Sequence, residues 1–215
     1  MVNGKLPQAS KILGSSIVCL TLCTLGIYCV QHSYRSSFEQ ETVDWKVIAG
    51  ELSDGDLVFR TGRDMISRLV LSQGDLPRFS HVGIILRNKS ELVVVHAVPQ
   101  NGKSAGGVIV EPLDTFTAKD NAKDVGFYRA KNINDKARRV IREYSLQQVG
   151  KGFDYRFLWN GDDELYCTEL VLKAFAKSGI NLTASLPNVR VMLIPEPVYP
   201  PDHLSKSSQL ESILY

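Results

Sequence analysis

His81-Val82-Gly83-Ile84-Ile85-Leu86, then Arg87-Asn88-Lys89-Ser90, then Leu92-Val93-Val94-Val95-His96-Ala97 form two apolar, β-branched runs around a short polar turn. That pattern predicts a β-hairpin. Apolar residues fill both faces of each run, so the hairpin belongs in the middle of a sheet, covered on both sides. Each run also carries a histidine. A two-residue loop at Asn88-Lys89 pairs Arg87 with Ser90, Ile85 with Leu92, Gly83 with Val94 and His81 with His96. Directly opposed residues share a face with Cβ atoms about 4.5–5.5 Å apart, so this register lets the two imidazoles touch. A one-residue slip would part them. An imidazole among Val, Ile and Leu is costly unless hydrogen-bonded. One ring can hold the tautomer of the other, the part a third group plays in a nucleophile–base–orienter triad.

The flanking sequence supplies further strands and two long helices. Gly55-Asp56 is a turn, Leu57-Val58-Phe59-Arg60 a short strand and Thr61-Gly62 another turn. Asp64 to Ser72 reads as a helix capped by Asp64, with Met65, Ile66, Leu69 and Val70 on one side. Val108-Ile109-Val110 and Val125 to Arg129 are strands. Asn134 caps a helix through about Val149, with Ala137, Val140, Ile141, Tyr144 and Val149 near one stripe and Gly150 at its stop. An aromatic loop from Phe153 to Trp159 leads to a second long helix that opens at Cys167, buries Leu170, Val171, Ala174 and Phe175, and stops at Gly179. Pro195, Pro197, Pro200 and Pro201 punctuate an extended tail. Strands and helices without regular βαβ alternation make an α+β domain.

Cys167 supplies a nucleophile for the histidine pair. At a helix start, unpaired backbone N–H groups and the positive dipole end favour thiolate, and the same amides face the oxyanion formed when sulfur attacks a carbonyl. Two His and one Cys could also hold zinc with an open site. No further cysteine is at hand and no HExxH-like spacing occurs, so neither a metal nor a cofactor is expected. Phosphate loops and GxGxxG fingerprints are absent. Asp162-Asp163-Glu164 reads as a solvated loop, Glu169 as a structural cap or pair, and Asp56 and Asp154 as turn formers. Tyr155, Phe157 and Trp159 are expected to pack in the core rather than line a groove. Lys136, Arg138, Arg139 and Arg142 are read as a solvated helix face rather than a docking site for anions.

At 215 residues, 44% hydrophobic and 22% charged, the chain is long enough for one folded domain plus an appendage. Lys+Arg 25 against Asp+Glu 23 leaves +2, which gives no field to attract nucleic acid. The appendage is Ile12 to Val30, nineteen residues without a charge that hold Cys19, Cys23 and Cys29. As a helix it would reach about 28 Å, close to the hydrocarbon thickness of a bilayer. Neither Tyr28-Cys29 nor Val30-Gln31 offers a small-x-small cleavage site, so an uncleaved single-pass anchor is preferred to a cleaved signal that would release the domain to the periplasm. Lys5 and Lys11 precede the run, whereas Glu39, Glu41 and Asp44 follow Arg35, which puts the remainder outside the cytoplasm. The expected layout is 1–11 cytoplasmic, 12–30 anchor, 31–48 tether, 49–205 domain and 206–215 tail.

Gly55-Asp56-Leu57-Val58-Phe59, Ser80-His81-Val82-Gly83-Ile84, His96-Ala97 and Tyr166-Cys167-Thr168-Glu169-Leu170-Val171, in that order, resemble the YiiX/YebB-like branch of the NlpC-type cysteine hydrolases. The resemblance spans roughly 50 to 205, including Phe153-Asp154-Tyr155 and Tyr199-Pro200-Pro201-Asp202. It implies a circularly permuted papain-like core in which the histidine hairpin precedes the cysteine helix, with a central antiparallel sheet. It also implies a triad of Cys167, His81 and His96, whose third position in the branch is commonly Glu. The implied substrate is a peptide or acyl amide, peptidoglycan where the host has such a wall. Lipid-directed acyl transfer or hydrolysis is the alternative within enzymes, and a non-catalytic binding module on the same fold the alternative outside them.

Overall fold

The computed structural model describes residues 45–63, 77–100, 105–159, 161, 163–190, 194 and 196–213. The proposed anchor at 12–30 and the helix expected over Asp64–Ser72 lie outside the described residues. In chain order the elements are a short 3-10 helix Trp45–Ile48, β1 Leu57–Gly62, β2 His81–Asn88, β3 Glu91–Val98, β4 Gly107–Pro112, α1 Leu113–Thr117, β5 Ala122–Ala130, α2 Asp135–Gln147, β6 Gly152–Phe153, β7 Glu164–Leu165, α3 Cys167–Lys177, α4 Pro201–Leu204 and β8 Leu210–Ser212.

The hairpin sits inside a six-stranded sheet of order β4-β3-β2-β1-β5-β8, with every neighbouring pair antiparallel. Its two faces carry separate cores. On one, Leu57, Phe59, Val82, Ile84 and Val95 meet Ile141 of α2 and Leu170, Val171, Ala174 and Phe175 of α3. On the other, Val58, Ile85 and Val94 meet Leu113 and Phe116 of α1. Burial on both faces is why β2 reads as an unbroken apolar run. Pro112 closes β4 at the sheet edge, where a missing N–H costs least.

The hairpin register differs from expectation by two residues. Ile84 pairs with Val95, Ile85 with Val94, Arg87 with Leu92 and Asn88 with Glu91, so the loop is Lys89-Ser90 and Lys89 takes φ 56°. Side chains alternate with period two, so a slip of two keeps every residue on its face and turns a direct pair into a diagonal one. The histidines therefore stay on a common face.

Asn134 caps α2 as expected, its side chain accepting from the Ala137 N–H at 2.9 Å. The helix stops at Gln147, and Val149 is 42% exposed rather than part of the buried stripe. The proline-rich tail is not simply extended, since α4 forms within it and β8 completes the sheet beyond residue 205. Of the basic α2 residues, Arg138 and Arg142 are not idle on a solvated face. Arg142 pairs with Asp54 at 3.1 Å, and Arg138 donates to the Asp54 carbonyl at 2.6 Å, so both clamp the turn that feeds β1.

Candidate active site

His81 opens β2 and His96 lies near the end of β3. Gly83, on the same strand as His81, lets them come together. A Cβ there would press on Val94 and sit 3.1 Å from the His96 Cβ. His81 Nε2 lies 2.7 Å from His96 Nδ1, with both residues buried. His96 Nε2 lies 2.9 Å from Glu111 Oε1 on β4, in a bent contact rather than a straight hydrogen bond. Phe116 of α1 forms the floor, stacked on the His81 ring at 5.7 Å and edge-on to His96 at 5.1 Å. Arg60, opposite His81 on β1, spreads its guanidinium over the same Phe116 at 4.3 Å and lies 3.7 Å from Glu111.

Cys167 stands at the first position of α3, partly buried. The backbone N–H groups of Val82, Thr168 and Cys167 itself all act on its sulfur. Val82 directly follows His81, so the sulfur lies by the strand end that carries the first imidazole. No hydrogen bond joins the thiol to either imidazole among the described residues. Asp202 of α4 secures the approach to β2, accepting from the Arg78 N–H at 2.7 Å and the Phe79 N–H at 3.2 Å. The third histidine outside the tether, His203, is turned to the Pro187 carbonyl at 2.7 Å.

Burial dominates the electrostatics. It pushes the Cys167 thiol up to about 11, although the three amides and the charge of Arg60 work downward. The expectation of a thiolate-favouring helix start is thus corrected: desolvation outweighs the backbone amides and Arg60. His81 is held well below its usual value by burial, then by Arg60 and His96. His96 is lowered by burial against the upward pull of Glu111. For Glu111 burial works upward, but contact with His96 and the charges of His96 and Arg60 outweigh it and keep the carboxyl low. At neutral pH the site holds a thiol, two neutral rings, a carboxylate and a guanidinium.

A pH dependence follows from these directions. Ultraviolet thiolate absorbance of Cys167 should rise only as pH approaches about 11. Below the ordinary imidazole value of 6.5 the unfolded chain takes up protons that the buried rings refuse, so the urea midpoint should fall as pH drops through that range. A thiolate titrating near neutrality would contradict this picture of the resting site.

Some nearby groups are structural. Buried Glu169 accepts from the Tyr166 N–H at 3.4 Å and pairs with Lys173 at 2.9 Å, as its cap-or-pair reading requires. Asp154 accepts the N–H groups of Arg156 and Leu158. In the aromatic loop Phe157 packs against Phe153 and Tyr166, but Tyr155 is 55% and Trp159 41% exposed, contrary to core packing. Trp159 instead borders an open groove of about 600 Å³ that runs past Leu172 and Ala176 of α3 to Tyr199. Glu111, Arg60 and Phe116 were not singled out from the sequence. Each reaches the histidines through strand or helix neighbours that only the folded sheet defines.

A family model described as a permuted papain-like amidase enzyme of the YaeF/YiiX, C92 family matches residues 51–194. Among solved structures the chain is similar to one titled metalloprotein yiiX from Escherichia coli O157:H7, with a TM-score of 0.61 and 20% identity over 75% of this chain and 96% of that one. At that identity the likeness is one of fold. No curated protein matches significantly. Although that title names a metalloprotein, among the described residues here no group of three or more His, Cys, Asp or Glu is arranged to hold a metal ion.

Proposed function

The chain belongs to the permuted papain-like amidases, and from that premise we propose that Cys167 is its nucleophile, His81 its general base and His96 the group that orients His81. The observation that carries this reading is the 2.7 Å contact between His81 Nε2 and His96 Nδ1. It occupies one nitrogen of His81 and leaves Nδ1 without a partner among the described residues. Meanwhile the Val82 N–H acts on the Cys167 thiol, lowering its pKa at the same strand end.

With a thiol and a neutral imidazole at rest, deprotonation accompanies attack rather than preceding it. Nδ1 of His81 takes the thiol proton as sulfur bonds to the carbonyl carbon. The oxyanion draws on the Cys167 N–H in the first turn of α3, which turns from the sulfur as charge passes to oxygen. Collapse breaks the C–N bond, and the amine departs with the proton from His81, leaving a thioester on Cys167. A water molecule then gives its proton to His81 and attacks the thioester. The carboxylic acid is released and Cys167 regains its proton.

The proposed substrate is a peptide amide, that of peptidoglycan in a host with such a wall. The apolar run 12–30 holds the domain outside the cytoplasmic membrane. Incubating the full-length protein with muropeptides, simple peptide amides and an acyl-lipid panel, with mass spectrometry of products, tests this. Paired amine and carboxylate ends from a peptide, with a thioester trapped on Cys167, are the expected result. Products from lipids alone would move the substrate class to lipid acyl chemistry. Turnover without any adduct on Cys167 would overturn the nucleophile.

A further inference from the structure

The contact between the two imidazoles can be made in two ways, and only one of them serves a general base. At 2.7 Å a single proton lies between His81 Nε2 and His96 Nδ1. If His81 donates, its Nδ1 keeps a lone pair and can accept a proton. If His96 donates, the His81 proton sits on Nδ1 and the ring cannot act on a thiol through that nitrogen. Nothing within the pair decides between these arrangements, because both rings are neutral and both bonds are alike.

Glu111 breaks the tie. Its Oε1 stands 2.9 Å from His96 Nε2, and although the contact is bent, a carboxylate beside that nitrogen offers acceptors only and favours a proton there over a lone pair. We propose that Glu111 is a positioning residue: by requiring the His96 proton on Nε2, it makes His96 Nδ1 an acceptor, obliges His81 to donate from Nε2, and so fixes the tautomer of a ring it does not touch. The inference rests on the assignment of His81 as base. It adds a fourth member, working through two rings rather than on the thiol.

Charge gives Glu111 a second task. When His81 takes the thiol proton, the pair of rings becomes a cation in a buried site. Facing that pair are Arg60 from β1, Glu111 from β4 and Phe116 from α1; the neutral thiol of Cys167 from α3 lies by Val82, the residue after His81. Arg60 opposes the new charge, and Glu111 is the anion that balances it. The two rings titrate as a unit, so loss of the carboxylate lowers the apparent pKa of both together.

The substitutions separate the two tasks. Glu111→Gln keeps an oxygen to accept from His96 Nε2 but loses the charge, whereas Glu111→Ala loses both. The test uses the full-length protein and needs no substrate. Imidazole 15N spectra read the tautomers, and iodoacetamide alkylation of Cys167 across pH reads base strength. In the wild type both rings should be single Nε2–H tautomers; in Glu111→Ala they should be mixed, and Glu111→Gln, whose amide can donate as well as accept, should fall between the two. Alkylation on the neutral plateau should fall roughly 10-fold in Glu111→Gln and up to 100-fold in Glu111→Ala, with the acid limb displaced to lower pH in both. Unchanged tautomers and an unmoved limb in Glu111→Ala would overturn the role of Glu111, while a His81→Ala variant that alkylates slowly would leave the base assignment standing. Alkylation indifferent to His81→Ala would instead strike the base assignment, and the spectra would still decide the tautomer question.

Discussion

Replacing Cys167 with Ala should lower amide hydrolysis by roughly 10⁴-fold or more, the scale seen when a nucleophile is deleted from a covalent relay. The reason is chemical rather than structural. The side chain is small and partly buried at the start of α3, whose hold on the sheet comes from Leu170, Val171, Ala174 and Phe175. Truncation to Ala removes only the sulfur, so the unfolding free energy from urea titration should fall by no more than about 1 kcal/mol, well short of a large core cavity. Steady-state hydrolysis by wild type and variant, with circular dichroism to establish folding, makes the comparison. His81→Ala should approach the same loss, since a thiol held near 11 presents almost no thiolate at neutral pH without a base. Because the two residues act as one unit, the double variant should be scarcely slower than either single one. Turnover retained in folded Cys167→Ala would remove the mechanism altogether.

How much of this site could be read from the chain depends on whether the signal is periodic or tertiary. The hairpin was legible because two β-branched runs flank a four-residue polar turn. The common face of His81 and His96 survived a wrong register because the error was an even number of residues. Cys167 at a helix start was legible from the apolar stripe that follows it. Glu111 was not: its strand read as Val108-Ile109-Val110, and nothing local says that the next residue reaches a histidine one strand away. Arg60 and Phe116 were hidden likewise, one behind a turn signal and the other in a five-residue helix too short to show periodicity. The charge state of the thiol was misjudged for a different reason. A helix start is a local feature, but the desolvation that overrides it comes from elements distant in sequence. Arg138 and Arg142 show the same limit, for a basic helix face looks solvated until the turn at Asp54-Asp56 is laid against it.

That turn carries the largest stability effect expected from a single site outside the catalytic groups. Asp56 is fully buried. Its carboxylate accepts two hydrogen bonds from Arg129, at 2.8 and 2.6 Å, and one from the Ser53 N–H at 2.8 Å, with Arg138 at 3.4 Å. Its backbone is also committed: the Ile85 N–H donates to the Asp56 carbonyl at 2.7 Å, and Gly55, at φ 84°, donates to Ile85 at 3.0 Å. One residue thereby joins the entry to β1, the middle of β2, Arg129 of β5 and Arg138 of α2. Asp56→Ala takes the carboxylate from two guanidinium groups, which keep only the Glu51 and Asp54 carbonyls, and from the half-buried Ser53 amide. Breaking a buried pair by removing one partner costs about 3–5 kcal/mol, and the lower end applies because Arg129 and Arg138 are 27% and 18% exposed and can recover some hydration. For a domain of this size that is a drop of roughly 10 °C in melting temperature. The converse change should be milder: Arg129→Ala leaves the carboxylate with the Ser53 amide and with Arg138, which can move in. Urea unfolding of the three proteins, read as midpoint at constant slope, tests the asymmetry. Equal losses from Asp56→Ala and Arg129→Ala, or a loss below about 1 kcal/mol in the former, would show that the turn is held by its backbone bonds to Ile85 and that the carboxylate adds little.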